Sequence, residues 1–202
     1  MMKKYNFLIN WALLTVAFLT AGYIIGYIIA LIVNSLLGNE NYQNDGTYLS
    51  QILVYCVFGS VVSSTISLTQ LSILKSSKVI ISKWWILAGI LGIVISEVIS
   101  GIRLSQLEIN RSTIGIFQNG PQLPEAMIFS FSGLLIGVFQ WLVIRKQFTN
   151  SFYWIPASFL GWGLGHLVMF TASAFFLGAL LLGIITGLVM IWILKSNKTV
   201  FN

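Results

Sequence analysis

Between Lys146 and Lys195 run 48 consecutive residues without a charged side chain. A helix needs about 20 residues to cross the hydrocarbon of a bilayer, at about 1.5 Å per residue. This run therefore predicts two crossings joined by a tight turn near Thr171 to Phe175. Other uncharged runs follow the same logic. There are 35 residues between Lys4 and Glu40 and 29 between Asp45 and Lys75. Trp84 to Ile102 is apolar except for Glu97, and Ala126 to Ile144 is uncharged. Spans are predicted at 9–33, 52–74, 84–102, 126–144, 153–171 and 176–194. All should be helices, because lipid offers no partner to an open backbone. The runs are continuous, whereas barrel strands would alternate.

Composition excludes the main soluble alternatives. Hydrophobic residues make up 57% of the 202-residue chain and charged residues only 8%. Ordinary soluble domains carry about 25% charged residues to build their polar shell. A soluble globular enzyme, a disordered chain and a free nucleic-acid-binding domain are all ruled out. The net charge of +6 does not signal nucleic acid, since the basic residues sit in small groups at the ends of apolar runs. Lys3 and Lys4 with Leu19-Thr20-Ala21 resemble a cleaved leader, but the apolar run outlasts the usual leader core of about 7–15 residues. We expect the segment to stay as the first span.

Six crossings put both termini on one side. With them fall Lys3, Lys4, Lys75, Lys78, Lys83, Arg145, Lys146, Lys195 and Lys198, nine of the eleven basic residues and no acid. Arg103 and Arg111 fall on the other side, with Glu40, Asp45, Glu97, Glu108 and Glu125. Cytoplasmic loops retain Lys and Arg, so both termini are expected in the cytoplasm and the chain in a bacterial inner membrane. Turn chemistry marks the outer loops at Asn44-Asp45-Gly46 and Gly120-Pro121. Apolar residues between Leu104 and Phe117 let the second outer loop lie on the bilayer.

The chain repeats itself. At an offset of 70, Gln70 falls on Gln140, Lys75 on Arg145, Trp84 on Trp154, and Ser63 and Ser67 on Gly133 and Gly137. At an offset of 50, Gly133, Gly137 and Arg145 fall on Gly183, Gly187 and Lys195, while Met190 replaces Gln. Self-similarity at fixed spacing points to repeated units. The prediction is an all-α bundle of six transmembrane helices built as three parallel helical hairpins, one domain over 1–202. Small residues four apart let helix backbones approach where lipid gives no hydrophobic drive. Gly133, Gly137, Gly161, Gly165, Gly183 and Gly187 are the predicted packing residues. Gln70 and Gln140 are expected to bond neighbouring helices. Lys75, Arg145 and Lys195 mark topology, and Trp11, Trp84, Trp85, Trp141 and Trp154 an aromatic belt at the cytoplasmic interface.

Gly133-Leu-Leu-Ile-Gly137-Val-Phe-Gln140-Trp141-Leu-Val-Ile-Arg145, with Trp154 and Gly161-Trp162-Gly163-Leu-Gly165, resembles the repeats of a group of bacterial multispan membrane proteins. Those carry Gly-xxx-Gly-xx-Gln-Trp-Leu-Val-Leu-Arg and Gly-Trp-x-x-Gly motifs and have no established activity. The match covers about 129–166. It implies the fold and adds no reaction.

Chemistry-bearing residues are few. Glu97 is the one acid inside a predicted span and His166 the only histidine. They stand 13 and 12 residues beyond Trp84 and Trp154, which puts them at nearly one depth in the outer half. Intramembrane ionisable residues face the protein interior and often serve function. The pair is the candidate ligand or proton site, set against a local structural role for each. Six hydroxyls between Ser60 and Thr69 either line a hydrated path or bond the preceding turn. Cys56 is alone, so no intrachain disulfide forms. The chain carries no zinc-protease, nucleophile-elbow or phosphate-loop motif and no Cys/His metal cluster. We expect no catalytic residues, no metal and no cofactor.

The function expected from sequence is a non-enzymatic scaffold or accessory subunit. The alternative is a small-solute or ion permease, or the membrane-embedded substrate-binding subunit of a transporter, with an outer-half site near Glu97 and His166. Its size and six helices are similar to the substrate-binding components of energy-coupled vitamin uptake systems, a fold-level analogy. The partner expected is the lipid bilayer, with no nucleic acid. A membrane-protein partner or a homo-oligomer stays open.

Overall fold

The computed structural model describes residues 4–37, 48–106, 123–171 and 174–197. They form six helices: α1 (Lys4–Leu36), α2 (Tyr48–Ser76), α3 (Trp84–Gln106), α4 (Leu123–Ile144), α5 (Trp154–Thr171) and α6 (Phe175–Ser196). A 3-10 turn, Ser151–Tyr153, leads into α5. Among the described residues there is no strand. Four helical stretches are long and apolar enough to cross a membrane: Tyr5–Leu36, Ser50–Ser76, Met127–Ile144 and Phe175–Ser196. The apolar part of α3, Trp84–Ser100, is shorter.

Several helices begin earlier or end later than the hydropathy predicts. The region expected as outer loop from 103 to 125 is helical at both ends, to Gln106 and from Leu123. Backbone hydrogen bonding continues into flanking polar sequence once a neighbouring helix supports it. The predicted turns at Asn44-Asp45-Gly46 and Gly120-Pro121 and the surface-lying loop lie outside the described residues, apart from the stretch up to Gln106.

Each helix packs against two others, in the order α1–α2–α3–α4–α5–α6 and back to α1. The result is a closed ring. Its helices alternate in direction. At one pole Phe7 and Trp11 of α1, Ile73 and Leu74 of α2, Trp85 of α3, Ile144 of α4, Trp154 of α5, and Ile193 and Leu194 of α6 share one buried cluster. These are starts of odd helices and ends of even ones. A second cluster further along holds Leu19, Val62, Ile66, Ile93, Ile136, Trp162 and Leu182. The outward faces carry exposed Leu, Ile and Phe side chains on every helix, the pattern of a lipid-facing surface.

Small residues set the helix spacing. A Cβ on Gly92 would lie 2.6 Å from the Cα and N of Ile136 on α4. On Gly183 it would lie 2.8 Å from the Cα of Ala12, and on Gly133 2.5 Å from the Ser158 carbonyl oxygen. Gly137 faces Ile155 and Ser158, Gly187 faces Trp11 and Leu8, and Gly161 and Gly165 face Leu182. All six glycines singled out from sequence thus stand at helix–helix contacts.

The pole that gathers the tryptophans also carries exposed Lys75, Lys78, Lys83, Arg145, Lys146 and Lys195. There α2 ends in a hydrogen-bonded cap. Lys78 adopts a left-handed backbone (φ 62°), and its N–H donates to Lys75 O at 3.0 Å while Val79 N–H donates to Leu74 O at 2.9 Å. This is the Schellman arrangement, which satisfies the last carbonyls of a helix. Buried Val79 and Leu74 close it from below. At the same pole, Asn197 Oδ1 accepts from both N–H and hydroxyl of Thr149, which follows α4, at 2.9 Å, pinning the end of α6.

Candidate functional site: a tryptophan–amide collar and an outer polar layer

Three tryptophans meet on the axis of the ring. Trp11, Trp85 and Trp154 are buried. Trp154 stands 5.3 Å from Trp85 and 6.3 Å from Trp11 between ring centroids. Each indole donates across a helix boundary to the even helix before it in the ring. Trp85 Nε1–H reaches Gln70 Oε1 at 3.0 Å. Trp154 Nε1–H reaches Gln140 Oε1 at 2.9 Å. Trp11 Nε1–H reaches Thr186 Oγ1 at 3.1 Å. The Gln140 amide N–H then donates to Ser67 Oγ at 3.3 Å. A buried indole N–H needs such an acceptor, and the collar supplies three.

This geometry revises the tryptophan assignments. Trp84 is 66% exposed, and the neighbouring Trp85 takes the position equivalent to Trp154. Trp11, Trp85 and Trp154 fill the core and make no belt, whereas Trp84 faces outward. Trp85 lies 15 residues after Gln70 and Trp154 lies 14 after Gln140, so the odd helices align one position away from the even ones. In the third unit Met190 is buried but makes no such bond; Thr186, one turn earlier, accepts the indole proton.

Four residues beyond each axial Trp come Thr15, Gly89 and Ser158. Thr15 and Ser158 line a cavity together with Ser63, Ser67, Gln70, Gln140 and Thr186, and Gly89 packs against Ser63 and Ser67. A Cβ on Gly89 would lie 2.6 Å from Ser67 Oγ and 2.8 Å from Ser63 Oγ. The cavity has about 10 Å³ of room for the centre of a water molecule, enough for about one water. Ile66, Ile136, Trp162 and Leu182 close it on the side away from the collar. Of the α2 hydroxyls, Ser60, Ser64, Thr65 and Thr69 donate to carbonyls of their own preceding turn. Only Ser63 and Ser67 line the cavity.

A second polar layer lies further from the collar. Twelve residues beyond Trp11, Trp85 and Trp154 stand Tyr23, Glu97 and His166. His166 is fully buried. Its ring stacks on Phe129 at 3.9 Å and on Trp162 at 5.2 Å, near parallel to both. Nδ1 lies 2.9 Å from the Trp162 carbonyl oxygen, which only accepts, so Nδ1 carries a proton. Nε2 lies 2.8 Å from the Tyr23 hydroxyl. In the neutral ring the phenol donates to Nε2. Glu97 is half-buried on α3, beside Gly59 of α2, where a Cβ would come 3.7 Å from its Cγ. Its carboxyl group is within electrostatic reach of Tyr23 and of Cys56. Sequence reasoning paired Glu97 with His166 and missed Tyr23. The missing signal was the same twelve-residue spacing counted from Trp11.

Among the described residues no three of His, Cys, Asp and Glu come together as a metal cluster. No family model matches the chain, and no curated protein or solved structure matches it significantly.

Proposed function

We propose that this chain is a non-enzymatic membrane protein with six transmembrane helices, a packing scaffold or accessory subunit built as three parallel hairpins, with both termini in the cytoplasm of a bacterial cell. The single observation that carries the scaffold role is the filled axis. Trp11, Trp85 and Trp154 occupy it, and the space beside them holds about one water. Solute sites are larger, about 300–1,000 Å³.

Six crossings are supported by the closed ring. Helices α3 and α5 each pack along two neighbours and alternate in direction with them. At 1.5 Å per residue, the 18 residues of α5 extend about 27 Å and the 23 of α3 about 34 Å, close to the thickness of the hydrocarbon. Three similar hairpins, α1–α2, α3–α4 and α5–α6, are supported by the three indole bonds and by the equivalent layers at four and twelve residues beyond each Trp. The exposed basic residues at the collar pole support a cytoplasmic assignment for that pole. The motif around Gln140 and Gly161 supports membership of the multispan group it resembles.

The role is tested by purification from native membrane in mild detergent, with mass spectrometry of what co-elutes. A stoichiometric protein partner is expected. Selective retention of a small solute without any protein would favour the permease or substrate-binding reading instead. That second reading has one observation in its favour, the layer of Tyr23, Glu97 and His166.

A further inference from the structure

We propose that Glu97, in the same layer as the hydrogen-bonded Tyr23–His166 pair, is a proton-binding site in the outer half of the bundle, its carboxyl group holding an exchangeable proton at neutral pH. The proposal rests on the membrane placement above and extends it by naming the ligand.

Glu97 shares its layer with two groups that form a hydrogen-bonded pair of their own. The Tyr23 phenol, on α1, has its proton committed to His166 Nε2, and the imidazole, on α5, has its one N–H, at Nδ1, committed to the Trp162 carbonyl. On the α2 side Glu97 faces Gly59, and the Cys56 thiol, on the same helix, donates to the Val94 carbonyl oxygen at 3.9 Å. The aromatic groups of the layer are Phe58 of α2 and Phe175 of α6, each edge-on to Tyr23, and Phe129 of α4 against His166. The titratable groups around the site are thus Tyr23, Cys56 and His166, and among the described side chains no Lys or Arg reaches this layer. The side chains of Arg103 and Glu125 lie outside the described residues.

Two ways of neutralising the site exist. An imidazolium at position 166 would serve as counter-ion to a carboxylate, or both groups stay uncharged with the proton on Glu97. The bonds favour the second. Neutral His166 satisfies both its nitrogens as they stand, and an imidazolium would force the Tyr23 hydroxyl to turn round and find a new acceptor. An ionised carboxylate without a cation is disfavoured at this depth, while a protonated one needs only ordinary polar neighbours. The pattern also explains why the layer is polar at all. A purely structural position twelve residues beyond Trp85 would be filled by an apolar side chain, as Ile93 fills the layer below.

The test uses the intact protein in liposomes and dicyclohexylcarbodiimide, an apolar reagent that reacts with protonated carboxyl groups. The carboxyl oxygen bonds to the central carbon of the reagent, and the acid proton moves to a nitrogen. Acyl migration then leaves a stable adduct with no leaving group. Mass spectrometry should find the adduct at Glu97 at neutral pH, with a rate that falls as pH rises, and none on α3 in Glu97→Gln. The infrared band of a protonated carboxyl should be present in the wild type and lost in Glu97→Gln. Nitrogen NMR of the single histidine should show the neutral ring protonated at Nδ1. Absence of both the protonated-carboxyl band and the adduct overturns the proton site and leaves the membrane placement intact, and an imidazolium at neutral pH overturns the site as well. Modification of Glu97 by a water-soluble carbodiimide with an external amine, as readily as Glu40 and Asp45, overturns the placement and the site together.

Discussion

The Trp154 indole donates to Gln140 at 2.9 Å, from one helix to the next, with both side chains withdrawn from solvent and lipid. Gln140 holds the collar at two points, since its amide also donates to Ser67 on α2. Replacing it by Leu strips the indole of its acceptor and leaves a buried N–H unpaired. The expected loss is about 1–3 kcal/mol of stability, read as a fall in melting temperature in detergent. Trp154→Phe removes the orphaned donor, so the double variant should lose less than the sum of the single ones. Strict additivity would show that the bond contributes nothing.

Gly92 should not tolerate even a methyl group. Its added carbon would press on the backbone of Ile136, which cannot move without shifting α4. Gly92→Ala should cost about 1–3 kcal/mol through overpacking. Gly163 is a useful control, because there the added carbon first meets the hydroxyl end of the Ser130 side chain, which can rotate. The thermal melt of Gly163→Ala should fall less than that of Gly92→Ala.

Lys78 pays for its place in the α2 cap with a left-handed backbone. Glycine adopts that conformation without steric cost, whereas an L side chain loses about 1–2 kcal/mol there. Lys78→Gly should therefore stabilise the protein, by up to about 1 kcal/mol after the entropy of glycine in the unfolded chain is set against it. The check is a rise in melting temperature with the oligomeric state unchanged.

Tyr23→Phe keeps the ring that packs on Phe58 and Phe175 and removes the proton donated to His166. The buried imidazole Nε2 then loses the phenol that donates to it. A loss of about 1–3 kcal/mol is expected, together with a change in the Nε2 resonance of the single histidine. An unaltered resonance would show that the two side chains do not meet.

Much of the architecture is legible in the sequence because lipid imposes few solutions. Uncharged runs and clustered basic residues mark helices and their ends, and the turn between Thr171 and Phe175 is where the 48-residue run must reverse. Glycine spacing marks the close contacts. The choice between Trp84 and Trp85 is not legible, since a one-residue difference in the spacing from Gln to the buried Trp decides which of two adjacent rings turns inward. Thr186 is equally hidden. Its hydroxyl replaces a glutamine amide from one turn away, so an alignment by residue type selects Met190. Tyr23 stands at the same twelve-residue spacing from Trp11, a signal that can be read only once the collar shows Trp11, Trp85 and Trp154 to be equivalent.

The central claim is that the helices alternate across the bilayer with the collar pole in the cytoplasm. The most direct measurement is accessibility of single cysteines, introduced in a Cys56→Ser background, to a membrane-impermeant thiol reagent on intact cells. Positions 44 and 118 should react from outside, while 3, 80, 149 and 200 should react only after the membrane is opened. Reaction of position 80 or 149 from outside, or of either terminal position, would contradict the account.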